Sequence, residues 1–294
     1  MKETKIRKIG LLPLFCYTFF LSHFFFLFYG RKIILTSQDN TILSCLLGII
    51  LNLILFQILL KLRTQKITIP SKIKKPLAFL LLFLLSYFIF LILNKTIDFV
   101  QMHYLPQGSY FSLFLLLFLL ILIISNRNIS SVTSLAFLLF LFFVPLFLIH
   151  FIGNFQFITL SYLKPLFTTN LPTILKGTLL FSLYTMTPLL LLLFIPFDSI
   201  DQKEKQNKTL TFALILSNLC TLLGFLMILF GTSLKYGSSY EYPFMLIVRK
   251  ISGFLIFNRL TYLFSPYLLF DSIILLGGLL TTWKEQLSVL KKKK

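Results

Sequence analysis

The feature that most constrains this chain is a nearly uncharged apolar run of about twenty residues, recurring about eight times between Leu11 and Thr282. A helix of that length matches the hydrocarbon thickness of a bilayer. In lipid no water is available to the backbone, so a spanning segment must be a helix or part of a closed barrel. Barrel strands alternate apolar and polar residues over roughly ten positions, whereas 80–93 and 111–124 are apolar on every side. Helices are therefore expected, and the fold class is all-α: a polytopic membrane protein with about eight transmembrane helices.

The expected spans lie near 11–29, 41–62, 76–94, 109–125, 131–153, 174–197, 209–231 and 261–283, in a single integral membrane domain covering 1–294. The N-terminal run is long for a signal core and leads to Gly30-Arg31-Lys32 with no small-x-small cleavage pattern, so a retained first helix is expected. With the N-terminus inside, 19 of the 28 Lys and Arg residues fall in inner segments. The positive-inside rule then places both termini in the cytoplasm, with a basic tail at 284–294 and Trp283 at headgroup depth. The apolar run after Tyr242 is split by Arg249-Lys250 and can break at Gly253, which reads as an outer-face helical hairpin over 243–259 or as an extra span.

A net charge of +19 raises the question of nucleic acid. The cations lie in membrane-flanking loops rather than on a soluble basic face, so the bilayer is the expected partner and nucleic acid is not. Cys16, Cys45 and Cys220 have no paired spacing and imply neither disulfides nor a metal site. There is no His-Glu-x-x-His, no phosphate loop and no Ser/His/Asp grouping at one depth, so neither an enzyme nor a cofactor is expected.

Polar groups at membrane depth are costly and mark cavities or partners. Asp271 stands with Ser265, Pro266, Tyr267 and Ser272. It reads as a cation or proton site, or as a carboxylate hydrogen-bonded to neighbouring helices. Ser182, Tyr184, Thr185 and Thr187 precede Pro188, where the helix either breaks to expose half-helix ends or kinks while its hydroxyls bond back to i−4 carbonyls. His23 follows Tyr17, Thr18 and Ser22, and is either a packing residue or a ligand. The candidate ligand-binding set is Tyr17, Ser22, His23, Ser182, Tyr184, Thr185, Thr187 and Asp271.

The order of short motifs along the chain resembles the spore germination permease family, the membrane B subunits of nutrient germinant receptors, within the amino acid/polyamine/organocation superfamily. The resemblance rests on Ser37-Gln38-Asp39, Tyr104-Leu105-Pro106, Leu163-Lys164-Pro165 and Leu171-Pro172-Thr173-Ile174-Leu175-Lys176-Gly177. It continues with Phe194-Ile195-Pro196-Phe197, Phe230-Gly231, Tyr242-Pro243-Phe244, Val248-Arg249-Lys250-Ile251 and Asn258-Arg259-Leu260. It implies a bundle related to the 5+5 inverted-repeat fold, here ending after the eighth span so that the last two helices are lacking. It further implies a small nutrient such as an amino acid as ligand, the spore inner membrane as location, and an A-type membrane subunit and a C-type lipoprotein as partners. The segment 243–259 resembles the extracellular hairpin that caps the vestibule in that superfamily. Span one departs from the family in carrying Ser22-His23-Phe24 where a Gly-rich interruption is expected. A secondary amino acid permease and a non-ligand-binding membrane assembly factor are the rival functions.

Overall fold

The computed structural model describes residues 8–65, 71–125, 128–159, 162, 170–195, 199–251 and 269–291. Its helices are α1 (Leu11–His23), α2 (Phe25–Ser37), α3 (Thr41–Thr64), α4 (Ser71–His103), α5 (Tyr110–Ser125), α6 (Ile129–Asn154), α7 (Leu171–Leu189), α8 (Lys203–Thr232), α9 (Leu234–Ser239), α10 (Pro243–Ile251) and α11 (Phe270–Lys291). The only extended pairing among the described residues is a bridge between Ile9 and Ile200, which pins the start of the chain beside the segment leading into α8.

Five helical stretches among the described residues are long and apolar enough to cross a membrane. The first, Leu11–Thr64, has 54 residues and would measure about 80 Å if straight, far more than one bilayer crossing needs. It folds back at Gln38–Asn40, a 3₁₀ turn entered through Gln38 with φ 50°. The helix of span one thus runs past the expected end at residue 29 to Ser37 and carries Gly30, Arg31 and Lys32 within it. Arg31 stays helical because its charge is met by Glu241, at 2.6 Å, and by the Ser238 carbonyl, at 3.0 Å.

α1 is the axis of the bundle. Every residue from Leu14 to His23 is buried, because α6, α7, α8 and α11 surround it. The outer helices do the reverse: Phe79, Phe83, Phe111 and Ile123 are 68–71% exposed. Apolar side chains this open, on α4 and α5, form a surface suited to acyl chains rather than water.

Proline sets several element boundaries. Pro172 occupies the first turn of α7, where its missing N–H costs nothing, and Pro243 opens α10. Pro188 lies one residue before the end of α7, after which Leu190–Phe194 continue as 3₁₀ helix. The chain therefore kinks and tightens here; it does not open into two half-helices. For the eighth span, helix is described from Phe270 onward; 261–268, the 252–259 part of the hairpin and 292–294 of the tail lie outside the described residues.

Candidate functional site

The interior hydroxyls of α1 turn back onto their own helix. Thr18 and Ser22 donate their hydroxyls to the Leu14 and Thr18 carbonyls, at 2.9 and 3.0 Å, so Ser22 is occupied within its own helix. Such back-bonding competes with the helical ladder and bends it. The helix carries on through Phe24, whose backbone keeps α-helical angles of φ −46° and ψ −43° and whose N–H donates to the Phe20 carbonyl at 3.0 Å. Where the family pattern would place an unwound glycine segment, this chain has a helical turn, and His23 sits at it.

His23 Nδ1 donates to Asp271 Oδ2 at 2.8 Å across 248 residues of sequence. The two side chains are 2% and 1% exposed. The Phe19 ring stacks on the imidazole at 5.6 Å with an 11° tilt, Phe143 meets it edge-on at 5.3 Å and Phe26 flanks it at 5.6 Å. This aromatic cage excludes lipid and strengthens the pair electrostatically by keeping the dielectric low. Of the two alternatives for Asp271, a partner on a neighbouring helix is present, and that partner is the histidine singled out in span one.

The pair leaves atoms unsatisfied. Asp271 Oδ1, His23 Nε2, Ser272 Oγ and the Tyr17 hydroxyl are buried without hydrogen-bond partners among the described residues. The Tyr17 hydroxyl abuts Gly278 of α11, where a Cβ would collide with it. Cys220 of α8 lies within electrostatic reach of Asp271. On α8, Ser217, Asn218 and Thr221 are fully buried and likewise unpartnered, as is Asn52 of α3.

The α3–α8 register relates these last residues. Arg63 Nη1 donates to Gln206 Oε1 at 3.3 Å, joining the two helices. Asn52 lies eleven residues before Arg63, and Ser217 eleven after Gln206. Eleven residues bring a helix to within about 20° of three full turns. Antiparallel helices then place Asn52 and Ser217 opposite each other, deep between α3 and α8. Reading only the ionisable and clustered hydroxyl residues misses them; an isolated Asn in the centre of an apolar span is the signal that marks Asn52 in the sequence.

The remaining candidates are employed elsewhere. Ser182 Oγ donates to the Gly48 carbonyl of α3 at 3.2 Å, beside matching bonds from Ser44 to Ile174 and from Thr178 to Ser44. Thr185 and Thr187 bond back to the Phe181 and Leu183 carbonyls, at 2.9 and 2.7 Å. Tyr184 stacks on Tyr29 at 4.3 Å with Lys32 over its other flank. The structure thus joins His23 to Asp271, sets Tyr17 against Gly278 two turns further along α11, and makes Ser182 part of a helix–helix seam. No group of three or more His, Cys, Asp or Glu side chains able to hold a metal occurs among the described residues.

A bundle of apolar helices around a buried His–Asp pair defines a polytopic α-helical membrane protein of permease-like build. The profile of the spore germination protein family matches residues 17–289, nearly the whole sequence, and the chain belongs to that family. No curated protein matches it.

Proposed function

We propose that this protein is a nutrient germinant receptor subunit that binds a small polar ligand, such as an amino acid, inside the membrane and passes a conformational change to partner proteins. The observation that carries the reading is the caged His23–Asp271 pair with its unsatisfied atoms. Buried donors and acceptors left unpaired are expensive, and an intramembrane His–Asp pair on the central helix is a place where an incoming polar group gains hydrogen bonds. His23 and Asp271 are the contacts, with Ser272 next to Asp271 and Tyr17 against Gly278 two turns further along α11.

In this reading the chain crosses the spore inner membrane about eight times, with both termini cytoplasmic and Arg31, Lys95 and Glu241 on the outer face. The ligand, by adding contacts to only one of two arrangements of α1 against α11, shifts their populations. No turnover is needed. Partners of the A-type membrane subunit and C-type lipoprotein kinds follow from the family. The amino acid permease remains the rival because α7 passes into 3₁₀ helix just after Pro188.

The discriminating experiment places the full-length chain in nanodiscs and in sealed vesicles and offers a labelled mixture of the L-amino acids. Saturable binding at about 10 μM label without flux, lost in Asp271→Asn, is the expected result. Accumulation driven by an ion gradient would make the protein a transporter, and absence of both would leave the assembly-factor role.

A further inference from the structure

A second polar site lies apart from the central pair, at the end of the bundle where α2 ends and α10 begins. Lys95, Asp98, Gln101, Met102 and Pro106 of α4 and its following loop face Glu241 and Tyr242 across a pocket of about 510 Å³. That size is within the usual range of small-molecule sites. Glu241 accepts from Arg31 at 2.6 Å and lies 3.5 Å from Lys95. Both its oxygens are therefore engaged. Asp98, by contrast, is exposed and makes no ion pair among the described residues.

We propose that this pocket captures the zwitterionic head of an amino acid, its ammonium on Asp98 and its carboxylate on Lys95, before the ligand reaches the central pair. The inference rests on the amino-acid reading given above. Lys95 and Asp98 are three residues apart on one helix, so their side chains rise from the same face about 5–6 Å apart at Cβ. Opposite charges held at that spacing complement a compact zwitterion. The floor of the pocket agrees in sign: burial first, then the Asp98 and Glu241 carboxylates, hold the Tyr242 phenol well above its ordinary value.

Neither half of the ligand alone fits as well. A simple carboxylate would approach Lys95 between two acids. A simple amine would gain Asp98 but leave Lys95 turned toward Glu241. A molecule with both charges satisfies Asp98 and replaces the longer of the two Glu241 contacts, while Arg31 keeps Glu241 neutralised. Met102 and Pro106 supply an apolar wall for a small side chain. Releasing Lys95 from Glu241 also frees α4 from the turn that leads into α10, and α10 packs on α2, α6 and α8. Capture is thereby coupled to how α10 is seated.

The test uses the full chain in membranes with Met102→Cys as reporter. Met102 is 56% exposed and lines the pocket, and the unsubstituted chain, with Cys16 and Cys45 buried, serves as background. A mixture of the L-amino acids other than cysteine, whose thiol would consume the maleimide, and the poorly soluble tyrosine, at about 10 mM each to fill a millimolar site, should slow maleimide labelling about tenfold. Propylamine and propionate should leave the rate unchanged. Lys95→Gln and Asp98→Asn should each abolish the protection, and Asp271→Asn should retain it. Absence of protection, equal protection by propylamine, or protection surviving both pocket substitutions would overturn the inference. If protection is absent while nanodisc binding sensitive to Asp271 persists, the capture site fails and the receptor reading stands. Protection without such binding leaves the capture site standing and removes the central pair as the place of recognition.

Discussion

At the scale of single residues, the chemistry of this protein is concentrated in a histidine and an aspartate that nothing in the sequence joins. Each could be singled out because ionisable groups in apolar spans are costly; their pairing depends on how α11 docks on α1, and no local pattern encodes that. Removing one partner of a buried pair leaves the other uncompensated, at a cost of about 3–5 kcal/mol. Asp271→Asn should accordingly lower the melting temperature of the detergent-purified protein, and the swap of His23→Asp with Asp271→His should recover most of the loss. If the swap is no better than the single change, the contact contributes nothing as a pair. Asn52 gives the opposite forecast. An unpartnered buried amide costs on the order of 1–3 kcal/mol, so Asn52→Leu should leave stability unchanged or raise it. A clear drop in melting temperature would mean that Asn52 holds a guest or partner of its own.

At the scale of elements, close helix approach is governed by glycine. A Cβ on Gly48 of α3 would stand 2.6 Å from the Phe181 ring of α7, and one on Gly177 of α7 would fall on Ser37 and Ser44. These small residues let the hydroxyls of Ser44, Thr178 and Ser182 reach carbonyls across the seam, the arrangement by which membrane helices associate without a hydrophobic driving force. Gly48→Val should destabilise by about 1–3 kcal/mol through overpacking, measured as a fall in melting temperature or in folded yield. Gly231→Ala, where no atom of the described residues beyond its chain neighbours and own helix backbone lies within 4 Å of the new Cβ, should have no such effect. Equal losses from the two would mean that the seam does not hold α3 against α7. Ser182 shows why site residues were only partly legible: a hydroxyl near a proline in an apolar helix looks the same in sequence whether it faces a ligand or a neighbouring carbonyl. Thr185 and Thr187 share that ambiguity, and their hydroxyls close onto their own helix.

At the scale of the whole molecule, the all-helical membrane character was the most legible property, because the absence of charge over a bilayer's thickness acts on every residue of a span at once. Ends of helices were less so. Span one runs on to Ser37 since Arg31 finds Glu241 more than two hundred residues later, a contact that hydropathy does not register. The proposed topology predicts that single cysteines placed near both termini are labelled by a membrane-impermeant maleimide only after the membrane is opened; labelling of either terminus in sealed vesicles would invert it. The central claim, that a germination protein responds to its nutrient through the His23–Asp271 pair, is tested most directly in spores. Spores carrying Asp271→Asn should lose the nutrient-triggered germination that depends on this protein, at normal protein abundance and with a receptor-independent trigger still effective, and the swapped pair should restore part of the response. A wild-type germination rate in the Asp271→Asn spores would contradict that claim.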